Sequence, residues 1–436
     1  MKYIFSICCI LFGASLAAQQ TDYDLARTAY FSGQYEEALT YIQQCIELDT
    51  TNYRYFFLKG KTLENLYRFN EAIAAQQKAL LLNPNAVEAK SAIGALYLQS
   101  GQPAISAQFY GQLATAEPEV SRWKMSWATA LMAAGKYQNA LEQLEIVEKT
   151  DTTNWLLYKN MGDCYYRIDS LLETQYYYYK SLILNPYNKI LYGTLTRLLA
   201  TKLSYDGATV VGSEAVTIDS TNVEAWKYLG VAYYKLNNYY EAQKSLEKAL
   251  ALGDTSLVIC SHLGATYYFL HNDDEAEKYL LKAHKLNPED MTVMYLLAVT
   301  YANIGKSIYG LELLDKLDKM IANIDTIGMK ANIQRGYMLR KLSRYNGAVN
   351  AFITATNNFP KNPRYFYEVA VTYDRAFNKK KAFEWYTRCL EKIDPNWATR
   401  QWTEEELKKW EFVSNAMGRA RLLREELFLE EENVKP

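Results

Sequence analysis

Along residues 225–250, AWKYLGVAYYKLNNYYEAQKSLEKAL, apolar and small side chains return every three or four positions. They are Trp226, Leu229, Gly230 and Tyr233, then Tyr239, Ala242 and Ala249. That spacing places one buried stripe on each of two short helices. The pattern recurs along the chain. Pro84, Pro118, Pro186, Pro288 and Pro360 follow one another at intervals of 34, 68, 102 and 72 residues. The first three intervals are multiples of 34, and the last is two periods plus four. Self-similarity at this period predicts stacked helical hairpins.

Counted within each period, position 8 is Gly60, Gly94, Gly162, Gly230, Gly264 and Gly336, with alanine at four other units. Position 20 is mostly alanine: Ala38, Ala72, Ala140, Ala208, Ala242, Ala276, Ala348 and Ala382. Small residues at both places let two antiparallel helices approach closely, and a bulkier one would overpack at a cost of about 1–3 kcal/mol. Tyr97, Tyr165, Tyr233, Tyr267, Tyr301 and Tyr373 at position 11 are expected to fill the space around that crossing. Proline at position 32 is expected to stop the second helix. One hairpin cannot cover its own apolar faces, so each depends on its neighbours.

The order W-x2-L-G-x2-Y, then A, then P, as carried by residues 225–250, resembles the tetratricopeptide repeat family. Eleven units begin at Gln19, Tyr53, Val87, Ser121, Trp155, Lys189, Val223, Leu257, Met291, Met329 and Pro363. The resemblance covers residues 19–396. It implies an all-α fold, a right-handed superhelical solenoid of about eleven helix-turn-helix repeats. Two departures stand out. Repeat six has Thr196 at position 8, and its second helix, YDGATVVGSEAV, is rich in residues that disfavour helix, which predicts a soft joint. Four extra residues between Leu317 and Met329 predict a longer helix or a kinked connection.

After Asn396 the period ends, and residues 397–436 are expected to form a C-terminal capping helix and tail. Thr403 and Glu406 have capping-box spacing. Leu407, Trp410, Met417, Ala420 and Leu427 share a stripe that would cover the last repeat; a docking helix for a partner is the alternative.

Composition narrows the reading further. The chain is 49% hydrophobic and 22% charged with a net charge of -1, so it is expected to fold and has no bulk attraction for nucleic acid or an anionic membrane. Lys2, the apolar run YIFSICCILF and the small residues GASLAA read as a signal peptide over residues 1–18. A buried first helix is the alternative. Cys8 lies too near the start, after Phe5-Ser6-Ile7, for lipidation. No later run approaches the ~18 apolar residues of a membrane span. The expected location is periplasmic, extracellular or at the cell surface. Cys45, Cys164, Cys260 and Cys389 then remain, and no spacing pairs them.

In the family that the pattern resembles, positions 2, 5, 9, 12 and 13 of each first helix line a concave groove. The basic residues there are Arg27, Arg54, Lys61, Arg122, Lys159, Arg167, Arg197, Lys227, Lys235, Lys330, Arg340, Lys341, Arg364 and Arg375. The acidic ones are Glu64, Glu88, Asp163, Glu224 and Asp374. Aromatics share the surface, among them Tyr166, Tyr234, Tyr268, Tyr295, Tyr337 and Tyr367. A cationic, aromatic face suits an extended or helical, acidic protein segment, because arginine pairs carboxylates in bidentate fashion. The alternative is that these charges only balance acidic residues elsewhere. The clamp that some relatives use for chaperone tails is absent: Lys159 fits its first place, but Asp163 and Thr194 do not fit the next two, and Lys227 is followed by Val231 and His262.

The run Tyr176 to Tyr179 occupies positions 22 to 25 of repeat five. Tyr178 is expected in the core, Tyr177 between repeats, and Tyr176 and Tyr179 exposed on the convex back. Such a pair suits a protein contact or a sugar ring, so the rival reading is glycan binding. Catalysis and cofactors find no motif. His262, His271 and His284 lack metal-site spacing, and Cys45 and Cys389 stand at position 27, where a thiol acts as a small core group. The expected function is a non-catalytic scaffold for protein partners.

Overall fold

In the computed structural model, residues 22–320, 326–409 and 411–433 are described; residues 1–18, expected to form the signal peptide, and Trp410 lie outside them. The described residues are helical hairpins with no strand among them. In repeat seven the helices are Val223–Lys235 and Tyr239–Ala251; in repeat eight, Leu257–Phe269 and Asp273–Leu286. Positions 1–13 and 17–29 or 17–30 thus form the pair that the period predicts.

Local chemistry sets these limits. Asn52, Asn154, Asn222, Asp290 and Asn362 precede their first helices, and their side chains accept hydrogen bonds from otherwise orphaned backbone N–H groups. Position 15 reverses the chain with φ of +57° to +84° in ten repeats. Glycine fills it in four, but Tyr67, Asp169, Asn237, His271, Ser343 and Phe377 hold the left-handed conformation in the others, at a cost of about 1–2 kcal/mol each. Before each repeat proline, position 31 leaves the helical region (Asn83 φ -135°, Asn185 -134°, Asn287 -140°), because the proline ring disfavours it there.

The close approach inside each hairpin is between positions 8 and 24. A Cβ added at Gly162 would lie 2.4 Å from the Tyr178 ring, and one at Gly336 2.7 Å from Phe352; Gly230 and Gly264 meet Leu246 and Leu280 at 2.6 and 2.8 Å. The position-20 alanines are all fully buried. Position 11 stacks on position 23 of the same hairpin: Tyr97 on Phe109, Tyr165 on Tyr177 and Tyr267 on Tyr279, with centroids 5.2–5.8 Å apart.

In repeat six the residues that disfavour helix do not prevent one. Tyr205–Ile218 is a full helix, capped by the Ser204 hydroxyl. The size relation is inverted: Thr196 at position 8 faces Gly212 at position 24, where an added Cβ would come 3.0 Å from the Thr196 methyl. The irregularity lies in the first helix, Lys189–Leu198, which continues as a π-helical turn, Leu199–Leu203, in place of the left-handed residue. The first helix of repeat ten is lengthened to Thr326–Lys341, and the preceding helix is described over Ser307–Met320; residues 321–325 between them lie outside the described residues.

The chain divides into two compact units, one ending at Leu191 and the other beginning at Tyr192. In the second unit the terminal segment is two helices, Glu404–Lys409 and Glu411–Asn433. Thr403 and Glu406 exchange backbone and side-chain hydrogen bonds at 3.1 and 3.3 Å. Phe412, Val413, Ala416, Ala420 and Leu423 are buried against Ala382, Tyr386, Cys389 and Leu390 of repeat eleven. The buried stripe therefore differs from the expected one, although Ala420 is common to both and Leu407 and Met417 pack at its edge. Arg419 fixes the register with a fork onto Asp374, at 2.7 and 2.9 Å.

Candidate functional site

The first-helix face is rebuilt by pairing inside each unit. In the first unit, Lys159 is 2.6 Å from Asp163, which also accepts from the Tyr178 hydroxyl at 2.8 Å. Lys61 pairs with Glu64. Arg27, Arg54, Arg122 and Arg167 are exposed and have no ion-pair partner among the described residues. The Arg122 guanidinium stacks 4.0 Å from the Trp123 ring, and Tyr166 is exposed beside Arg167.

In the second unit several predicted binding residues are internal braces. Arg197 lies 2.8 Å from Glu224, an ion pair by distance whose Nε is not aligned for a hydrogen bond. Lys227 pairs with Asp254 at 2.8 Å, both largely buried. Burial would raise the Asp254 carboxyl, but donors from Lys227 and Ser256 outweigh it and hold it below its ordinary value. Arg340 and Arg364 converge on Glu368 at 2.8 and 2.9 Å; the Glu368 side chain is 3% exposed and that of Arg340 12%. Lys341 donates to the Ala302 carbonyl at 3.0 Å. Charge reversal at Arg340, named above as a groove cation, would therefore disrupt the fold. Lys235, Lys330 and Arg375 remain exposed without an ion-pair partner among the described residues.

The aromatics on this face in the second unit, Tyr234, Tyr268, Tyr295, Tyr337 and Tyr367, are half-buried. Burial pushes the Tyr295 and Tyr337 phenols up to about 12, so both stay neutral donors. Tyr337 meets Phe352 edge-on, and Tyr367 packs on Phe412 of the terminal helix. Tyr268 meets Phe269 edge-on.

Where repeats seven, eight and nine meet, the face opens into a hollow of about 220 Å³. Tyr234, Lys235, Ser261, His262, Ala265, Asp290, Thr292, Val293 and Leu296 line it. Tyr234 crosses His262 edge-on at 5.3 Å. The His262 Nδ1 lies 2.9 Å from the Val258 carbonyl, which only accepts, so Nδ1 carries the proton. Burial holds the imidazole below its ordinary value; the Val258 carbonyl opposes this, Lys235 adds to it, and Asp290 opposes it. The ring is therefore neutral at pH 7. Sequence reasoning placed Tyr234 and Lys235 here but missed Ser261, His262 and Asp290. His262 stands at position 6, outside the positions surveyed, as does Glu368. A scan for polar residues at position 6 would have found both.

The tyrosine run does not form a platform. Tyr178 is buried on Gly162. Tyr177 stacks on Tyr165 of its own hairpin and packs against a core shared with the preceding repeats, and burial, aided by Glu148, pushes its phenol up to about 12. Tyr176 is exposed, edge-on to Tyr177 with the Lys180 ammonium 4.9 Å over its ring. Tyr179 is half-buried, contrary to the expected exposure.

A stretch of 106 residues is 27% identical to the Hsp70-Hsp90 organizing protein of Triticum aestivum, covering 24% of this chain and 18% of that protein. Yeast Tom70 aligns over 96% of this chain and 99% of its own, at 14% identity and a TM-score of 0.35. YrrB, described as a TPR protein with an unusual peptide-binding site, aligns over 50% of this chain and 93% of its own, at 23% identity and a TM-score of 0.28. Residues 23–87, 223–256 and 258–290 each match the tetratricopeptide repeat family; with the 34-residue period on either side of those stretches, the chain is a tetratricopeptide-repeat protein.

Proposed function

We propose that the protein is a non-catalytic scaffold that captures an extended or helical segment of a protein partner on its first-helix face, with acidic segments preferred. The observation that carries this is the charge left after internal pairing. The acidic residues at the surveyed positions are engaged: Glu64 with Lys61, Glu88 with the Tyr53 hydroxyl, Asp163 with Lys159, Glu224 with Arg197 and Asp374 with Arg419. Exposed cations remain in both units beside half-buried rings. Carboxylates of a partner are the complement of such a surface, and the rings add contact area at low entropic cost. Export from the cytoplasm, expected from residues 1–18, belongs to the same proposal; the mature N-terminus would then lie near Ala18.

A photo-crosslinking residue at position 235 should give a discrete protein adduct in the intact cell, weakened several-fold by Arg375→Glu. The same group at Lys244, exposed on a second helix, should give none. Equal adducts from both positions, or an adduct indifferent to charge reversal, would overturn the reading.

A further inference from the structure

The geometry points to the hollow between repeats seven, eight and nine as a pocket for one phenol side chain, a tyrosine of the captured segment, whose hydroxyl donates to Nε2 of His262. This rests on the proposed binding face and names what that face selects. At about 220 Å³ the hollow is smaller than the ~300–1,000 Å³ typical of small-molecule sites, so it suits a side chain rather than a whole ligand. Its floor is apolar: Ala265, Val293 and Leu296 are all buried. The Tyr234 ring forms one wall.

Its unsatisfied polar atoms are acceptors. His262 donates through Nδ1 to Val258, and its Nε2, a lone pair at neutral pH, has no partner among the described residues. Asp290 uses Oδ1 to accept from the backbone N–H groups of Thr292 and Val293, both at 3.0 Å, which leaves Oδ2 uncommitted among the described residues. Two acceptors above an apolar floor call for a donor on a flat apolar stem. Lys235, exposed on the lining, opposes a cationic occupant and favours a neutral one flanked by carboxylate. Phenylalanine would fill the same space but leave Nε2 desolvated and unpaired. A site built around such a hydrogen bond discriminates strongly against the analogue that lacks it.

The chain has three histidines, so 13C-labelling of the Cε1 carbons gives a spectrum that reads this hollow directly. Titration of the full chain with N-acetyl-tyrosinamide should shift the His262 signal saturably, with His271 and His284 as fixed references. N-acetyl-phenylalaninamide should bind at least about tenfold more weakly. His262→Leu, which leaves no acceptor, should remove that preference, read on the tyrosinamide's own signals. Thr292→Trp, at an exposed rim position, should block both amides while leaving His262 as a reporter of folding. No saturable shift, equal affinity for the two amides, or a preference that survives His262→Leu would overturn the proposal. The crosslinking experiment fails independently: a hollow that prefers the phenol in a protein without face-specific adducts would sink the scaffold reading and leave the pocket standing.

Discussion

Two junctions in the second unit are built on one positional plan and end in opposite states. In both, position 6 of one repeat meets position 12 of the repeat before it. Between repeats ten and eleven these are Glu368 and Arg340, an ion pair at 2.8 Å joined by Arg364 and nearly sealed from water. Between repeats seven and eight they are His262 and Tyr234, two rings in edge contact beside a hollow. The charged pair fills its notch and uses its own hydrogen-bonding capacity. The ring pair keeps a free acceptor and leaves space. A repeat array thus turns one address into a brace or a pocket by changing the two side chains that meet there.

The strongest way to break this contrast is to open the closed junction. Glu368→Ala strands the buried Arg340 without its carboxylate and should cost about 3–5 kcal/mol, read as a lower denaturant midpoint at constant slope. His262→Ala, the counterpart at the open junction, should cost clearly less. Equal losses would mean that both junctions are braces.

A smaller effect sharpens the contrast through pH. His262 has its folded-state pKa below its unfolded value of about 6.5, so the unfolded chain binds more protons as pH falls through that range. Its contribution to stability is present above pH 6.5 and is lost as pH falls through the folded value. Lys235 and Asp290 face the ring with opposite effects, and His284 is shifted in the same direction by its own burial. Denaturation midpoints between pH 7.5 and 5 should fall for the native chain and fall less steeply for His262→Gln. An unchanged slope would show that the imidazole is not held neutral by burial.

The smallest effect concerns the rim. Lys235→Ala removes an exposed cation without an ion-pair partner among the described residues and should change stability by less than about 0.5 kcal/mol, while weakening capture of an acidic segment. Lys227→Ala, which leaves Asp254 unpaired in a largely buried site, should be clearly worse for stability. A reversal of that order would show that exposure does not separate binding residues from braces.

Much of the architecture was legible beforehand because it depends on local composition repeated in register. Small residues at positions 8 and 20, asparagine or aspartate ahead of many first helices, and proline after the second each act within one hairpin. Charge was less legible. Counting basic residues at five positions registered Lys227, Arg340 and Arg364 as free, since their partners, Asp254 and Glu368, sit at positions the count did not include. The second helix of repeat six was hard to read for a related reason. Gly212 looked like a helix breaker in isolation, yet it makes room for Thr196 across the hairpin.

The sequence by itself determined the period, the helix pairs, the turns and the family, because backbone propensity and steric size act over a few residues and repeat without loss. Only the tertiary structure decided which side chains were used up. Whether a lysine, a tyrosine or a histidine remains available to a partner depends on atoms brought within about 3 Å from other helices, and a hydrogen bond or ion pair at that distance has no signature in one-dimensional spacing.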